Sequence, residues 1–299
     1  MSGTVSPAAK RRKLKPWQVS LLVSLCLIAL WELLAYAFPT SAAEAGLGSP
    51  LIPGWGWIFT HAFPAIANYG GDGMGLSAAE GGPAGNYPGA IAAIAQHSVV
   101  TWGRLLGGLI GRAAFGIGLG VAISWSGIAR MIFALPAHLL KTLPLLAMIP
   151  LFQIWFGVSE MGIWLFVTYG VSVIFFAGTI NAISNVPPIF IENARTLGAS
   201  SAHIYRSIII PAILPELRTS LILSTGVAWS AVVGAEFLGA QNGLGYVEVQ
   251  AQQFALLDRM FVIAIVFLIY ASISFFVVDR LSRHFIRWAD RGEPTASRV

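Results

Sequence analysis

The chain has 299 residues, of which 56% are hydrophobic and only 10% charged, with a formal net charge of +5 and a single cysteine. Soluble domains carry about a quarter charged residues, so a soluble fold of this length is excluded: it would leave large apolar patches in water. One cysteine, Cys26, excludes an intrachain disulfide and a Cys-based metal cluster. The basic residues edge the apolar runs, where charge sets membrane topology, and form no single face of the kind that binds nucleic acid.

Residues 1–17 are a basic tail carrying Lys10, Arg11, Arg12, Lys13 and Lys15, and 18–38 read as a first membrane span. A basic start, an apolar stretch and Ala35-Tyr36-Ala37 have the outline of a cleavable signal peptide. The apolar stretch is long for that and holds Trp31 and Glu32, so the segment is read as a retained span, with Glu32 paired or hydrated. Residues 39–97 form a periplasmic loop. The cluster Trp55-Gly56-Trp57-Ile58-Phe59 has the aromatic content of a membrane interface. Residues 68–89, rich in Gly, Ala, Pro, Asn and Asp, bury too little apolar surface to be ordered unaided and read as an exposed, flexible insertion.

A span needs about 20 mostly apolar residues. Six candidates occur, at 19–38, 105–125, 131–156, 162–183, 213–238 and 261–281, with no sheet signal, so the fold class is an all-α membrane protein with six transmembrane helices. Residues 98–285 hold a five-helix core and 286–299 a cytoplasmic tail. Gly107, Gly108, Gly111, Gly116, Gly118 and Gly120 give the second span the pattern that lets membrane helices approach closely. Pro144 and Pro150 each remove a backbone hydrogen bond from the third span. It is expected to be kinked, either packed as such or facing a translocation path. Arg280, Arg283, Arg287 and Arg291 follow the last span, so both termini are placed in the cytoplasm, along with Arg130, Arg195 and Arg206.

The segment 187–211 falls on the same side. Pro187 and Pro188 can open a helix at no hydrogen-bond cost, and Gly198-Ala199-Ser200-Ser201 stops it. Ser200 or Ser201 can cap a second short helix, and Pro211 and Pro215 mark the start of the fifth span. The result is a rigid knob with a glycine elbow at the membrane face.

Ionisable groups within spans are costly unless paired or hydrated. Arg112 sits about two turns into the second span, Arg104 nearer its outer end, and Glu236 near the outer end of the fifth. Either arginine can pair with Glu236; alternatively both attract an anion. The five histidines, His61, His97, His138, His203 and His284, show no metal spacing. No Gly-x-x-x-x-Gly-Lys-Ser/Thr loop is present, so no nucleotide site is expected in this chain.

Glu192, Ala194 and Gly198, followed after nine residues by Ile208 and Pro211, resemble the coupling motif of ABC importer permeases. Asn193 and Ile210 stand where that family usually has Ala and Leu, changes a helix surface tolerates. Pro136, Lys141, Pro144, Ala147, Pro150, Trp155-Phe156-Gly157 and Glu160 resemble the third span of its nitrate/sulfonate/taurine branch. Gly226, Trp229, Ala235-Glu236 and Gly243-Leu244-Gly245 resemble the end of its fifth span, and 285–288 its C-terminal end. The resemblance runs in order over residues 97–290 and looks closest to taurine permeases. Arg112 departs from it, standing where the family usually has a small apolar residue.

The resemblance implies a type I ABC importer permease fold in the bacterial inner membrane, not an enzyme and without a cofactor of its own. It implies a homodimer, two ABC ATPase subunits that bind ATP, and a periplasmic solute-binding protein. The cargo would be a small anion or zwitterion such as taurine or another sulfonate, or alternatively nitrate. ATPase coupling would fall to Glu192, Ala194, Arg195, Gly198, Ile208 and Pro211. A translocation path would run past Arg104, Arg112, Pro144, Pro150, Trp229 and Glu236. An ion-coupled secondary transporter would instead need two related halves and midplane acids, and a membrane serine protease a Ser–His pair at depth; the sequence offers neither.

Overall fold

The computed structural model describes residues 15–38, 49–71, 75, 85–237 and 239–286. The readings made for residues 1–14, for the middle of 68–89 and for 287–299 lie outside them. Among the described residues every regular element is helical. Five helices are long and apolar enough to cross a membrane, or six when one sharply bent pair is taken as a single span.

The helix α7 (Glu160–Ser184) forms the centre, since after Glu160 it carries no charge and buries residues on every side. The helices α4 (Tyr87–Ser124) and α10 (Ile210–Phe237) flank it. Small residues set the approach of α4 to α7. A Cβ on Gly116 would lie 2.5 Å from the Ser172 carbonyl oxygen and 2.9 Å from Phe175 Cβ; one on Gly120 would lie 2.6 Å from Thr179 Cβ. The glycine pattern of the second span is therefore a packing face over 116–120, as interhelical contact without a hydrophobic drive requires. Gly118, on the opposite face, has open space around it. Gly116→Val is expected to destabilise the protein by roughly 1–3 kcal/mol through overpacking, and Gly118→Val to leave it unchanged. Thermal unfolding in detergent checks both, and equal effects would remove the packing explanation.

The expected third span differs from a kinked helix. It is two pieces, α5 (Gly127–Thr142) and Leu145–Phe156, set at 92° across Leu143 and Pro144; the second opens as a 3-10 turn over Leu145–Met148 and continues as α6 (Ile149–Phe156). Leu143 precedes a proline and is driven extended, with ψ at 130°, which ends α5. Pro150 then sits in the first turn of α6, where its missing N–H costs nothing. One proline breaks the span and the other restarts it.

The loop expected over 39–97 ends sooner, where α4 begins at Tyr87, and its described residues are more structured than expected. The turns α2 (Trp55–Trp57), Ile58–Ala62, α3 (Phe63–Ala65) and Ile66–Tyr69 make one irregular helical run. Its inner side, Ile58, Ala62, Ile66 and Tyr69, packs with Ala90 and Ala93 of α4 and with Val262 and Ile263 of α12 (Leu257–Phe285). Phe59, on the other side, is exposed. Glu32 of α1 (Pro16–Ala37) accepts from the Trp55 backbone N–H at 3.0 Å, and so caps this run while staying satisfied in its own helix.

The exposed insertion expected over 68–89 also contracts at its ends. Tyr69 is fully buried, Arg259 lies over its ring and donates to the Gly75 carbonyl, and α4 already starts at Tyr87, capped by Asn86. Tertiary partners order the low-complexity ends, which composition alone does not reveal.

Candidate functional site

Two regions at opposite ends of α10 hold the polar chemistry. At one end α8 (Pro188–Thr196) closes in a left-handed turn at Gly198, φ +78°. The Ala199 N–H donates to the Ala194 carbonyl (3.0 Å) and the Gly198 N–H to the Arg195 carbonyl (2.9 Å). This is a Schellman stop, and it needs a residue at ease with positive φ. Ser200 then caps the next turn, accepting from the His203 N–H at 3.3 Å.

That turn is not the separate short helix expected. The helix α9 (Ser201–Ile204) runs through a π-helical stretch, Tyr205–Ile209, directly into α10, so 37 residues from Ser201 to Phe237 form one rod. Pro211 lacks the N–H that a regular turn uses, and the wider π turn just before it accommodates the fault; Pro215 sits inside α10 itself. At about 1.5 Å per residue the rod is roughly 55 Å long. Ala182, Ile183, Val186, Ala194, Ile204, Ile209, Ile213 and Leu217 bind elbow, rod and the end of α7 into one apolar cluster. Ala194 is thus a seat for the elbow, and Ile208 and Pro211 lie half-buried at the junction. Glu192, Arg195 and Gly198 are exposed, beside Leu197 with 88% of its surface free.

At the other end lies a buried cluster. Arg104, 3% exposed, spends all five guanidinium donors. One nitrogen donates to Glu236 Oε1 (2.6 Å) and to the Asn242 carbonyl (2.8 Å). The other terminal nitrogen donates to Asn242 Oδ1 (2.5 Å) and to Glu160, and Nε donates to Glu160 Oε2 (3.0 Å). Glu236, 1% exposed, also accepts from Thr101 Oγ1 and from the Gly245 N–H at 2.9 Å. Thr101 in turn accepts from the Leu244 N–H (2.9 Å), and His97 Nδ1 from the Gly243 N–H (3.1 Å). His97 Nε2 therefore carries the proton and donates to the Tyr69 carbonyl at 2.9 Å.

These three N–H groups are the orphan donors at the start of α11 (Leu244–Gln253), and side chains of α4 and α10 satisfy all three. The carboxylate of Glu236 also faces the positive end of that helix. Gly243 and Gly245 are explained by the same contact: a Cβ on either would lie 2.5 Å from Glu236 Cδ or 2.7 Å from its Cβ. The sequence reading missed α11 altogether. Its signal was Leu244, Val247 and Ala251 at helical spacing, all buried, on a stretch too short to stand out.

Arg104, not Arg112, holds Glu236. Arg112 is 4% exposed and its guanidinium lies 5.1 Å above the Trp164 ring, with neither terminal nitrogen hydrogen-bonded among the described residues. Trp229 is interior as well; its indole N–H donates to Ser274 Oγ at 3.0 Å. Arg104, Glu236 and Trp229 are thus taken up inside the helix bundle of this chain. A wide hollow of about 610 Å³ lies instead along one face of α10, lined by Leu146, Ile149, Ser230, Val233, Phe237 and Gln252 among others. It touches the broken third span between Pro144 and Pro150.

Glu248 of α11 is a half-buried carboxyl whose Oε2 is enclosed and has no hydrogen-bond partner among the described residues. Burial pushes it up to about 7. Between about pH 4.5 and 7 the native state therefore holds a proton that the unfolded chain has lost, so stability falls as pH rises through that window and is level above it. Glu248→Gln is expected to flatten this slope, worth on the order of 1–3 kcal/mol. Unfolding midpoints at pH 5 and pH 8 test it; an unchanged difference would assign the slope to other groups.

Among the described residues no group of three or more His, Cys, Asp or Glu is placed to hold a metal ion.

The family model for the binding-protein-dependent transport system inner membrane component matches residues 113–291. The chain is 31% identical to the putative aliphatic sulfonates transport permease protein SsuC of Bacillus subtilis, over 63% of this chain and 68% of that protein. It is 31% identical to the taurine transport system permease protein TauC of Escherichia coli, over 64% and 70%. A solved structure of the MetNI methionine ABC transporter in an inward-facing conformation aligns with a TM-score of 0.48 at 20% identity, covering 62% of this chain and 93% of that one.

Proposed function

Because the chain belongs to the family of binding-protein-dependent transport system inner membrane components, a family of multi-pass permeases of ABC-type importers, we propose that it works as a homodimer with two ATPase subunits and a periplasmic solute-binding protein. The observation that carries this reading is the rod Ser201–Phe237. It joins the exposed elbow to Glu236, and Glu236 holds the start of α11. A push on the elbow by a closing ATPase dimer would move α10 as a body and with it the polar lock, a two-state element biased from a distance.

In this scheme Glu192, Arg195 and Gly198 meet the ATPase, while Ala194, Ile208 and Pro211 transmit the load. The path is the hollow beside the Pro144–Pro150 break, closed when two protomers face each other. Arg104 and Glu236 position α11 at its outer end, with Trp229 packed behind. The cargo is a small anion, a sulfonate above all. The names of the two relatives support that class, and Arg112 supplies positive potential toward it. Both termini are cytoplasmic.

Affinity capture of the tagged chain from its native membranes, under conditions that keep it folded, is expected to retain an ABC ATPase. In proteoliposomes, uptake of a radiolabelled sulfonate should need ATP and fall with Arg112→Gln. Folded protein with no ATPase retained would overturn the reading; ATP-driven uptake of a neutral solute alone would overturn the cargo class.

A further inference from the structure

A second cavity, of about 230 Å³, lies under the elbow. Its walls come from three places: Ser124 and Trp125 at the end of α4, Arg130 on α5, and Arg195, Ser201 and Tyr205 around the elbow and π stretch. Among the described residues no carboxylate lines it. Neither Arg130 nor Arg195 makes a hydrogen bond or ion pair among the described residues. Ser124 is 3% exposed and its hydroxyl has no hydrogen-bond partner among the described residues. The framework around it is firm. The Tyr205 hydroxyl donates to the Ser124 carbonyl at 2.5 Å, and its ring stacks on Trp125 at 4.5 Å.

Two guanidinium groups sharing one hollow repel each other, and water satisfies a hydroxyl without neutralising them. The donors converge from at least three elements, two as planar forks and two as hydroxyls. A carboxylate has two oxygens to offer; inorganic phosphate has four, a phosphodiester headgroup two charged and two ester oxygens, and either accepts bidentate arginine contacts. The charge distribution sets this end of the bundle at the cytoplasmic membrane surface.

We propose that the cavity is a phosphate-binding site, in which Arg130 and Arg195 clasp the anion and Ser124 donates from its floor, tying the α4–α5 turn to the elbow. The phosphate belongs either to an anionic lipid headgroup or to a free phosphate in the cytoplasm. Occupancy would stiffen α8 against α5, and so tune how freely the elbow follows a partner.

The test uses the full chain purified in a maltoside detergent, followed by thermal unfolding. Inorganic phosphate is compared with chloride at matched ionic strength, and phosphatidylglycerol with a galactosyl diacylglycerol that lacks phosphate. A rise with inorganic phosphate supports the free-anion source, and a rise with phosphatidylglycerol alone the lipid source. Arg130→Gln and Ser124→Ala are each expected to weaken the apparent affinity about tenfold or more, as loss of one charged hydrogen bond does. No shift of the wild-type midpoint with either probe overturns the proposal, even if a variant fails to fold; so does a shift that persists in folded Arg130→Gln. These readouts need no ATPase, so their failure leaves the transport reading untouched.

Discussion

Arg104→Ala is expected to destabilise the protein by roughly 3–5 kcal/mol, the cost of leaving a buried charge without its partner. Glu236 is 1% exposed and would keep only Thr101 and the Gly245 N–H. Asn242 would lose both of its contacts to the guanidinium. The double variant Arg104→Ala/Glu236→Gln should recover part of the loss, because a neutral amide in that site still reaches Thr101 without stranding a charge. Glu160 gives a contrast. Its side chain is 58% exposed, so Glu160→Gln is expected to cost below about 1 kcal/mol. Unfolding midpoints of the three variants form the check. A double variant no more stable than Arg104→Ala would show that the buried ion pair is not the source of the loss. Release of α11 is the structural consequence, readable as faster hydrogen exchange over Gly243–Gly245.

Gly198→Val is expected to abolish coupling while leaving insertion intact. A Cβ at 198 meets nothing within 4 Å, so the substitution is not a clash. The cost is the backbone: φ +78° is about 1–2 kcal/mol uphill for an L-residue, and worse for a β-branched one. The elbow lies on the surface and outside the long apolar stretches, so relief would come by unwinding the end of α8 rather than by unfolding the spans. That withdraws Arg195 and Leu197 from their present positions. ATPase retention and uptake should each fall about tenfold or more, with a normal detergent sizing profile. Gly198→Asn should be milder, since Asn tolerates the left-handed region. Undiminished uptake with Val would mean the elbow does not carry the coupling load.

Much of the architecture was legible from residue order alone. Apolar run length marked the spans, because a helix must reach across about 30 Å of hydrocarbon to satisfy its own backbone. Pro188, Gly198 and Ser200 announced the elbow, because helix starts and stops are set by local backbone chemistry that each residue carries with it. The small-residue face of α4 was visible for the same reason.

What stayed hidden depended on partners distant in sequence. That Arg104 and not Arg112 meets Glu236 follows from how α4 and α10 cross, at a separation of 132 residues; charge alone left both eligible. The helix α11 and the run from Trp55 to Tyr69 are too short to form unaided, and helix nucleation in so few residues is unfavourable without a surface to pack on. The Gly243-Leu244-Gly245 turn and the buried Tyr69 acquire meaning only against Glu236 and Arg259. Pro144 was legible as a fault in a helix, yet whether a fault becomes a gentle kink or a 92° break is decided by the packing available on each side. Thus local conformation and membrane residence were determined by the sequence itself, through periodicity, charge and proline and glycine chemistry. Pairing of buried charges, and the ordering of segments with little apolar surface of their own, was decided by tertiary contacts, because desolvation makes each such group depend on the one neighbour that satisfies it.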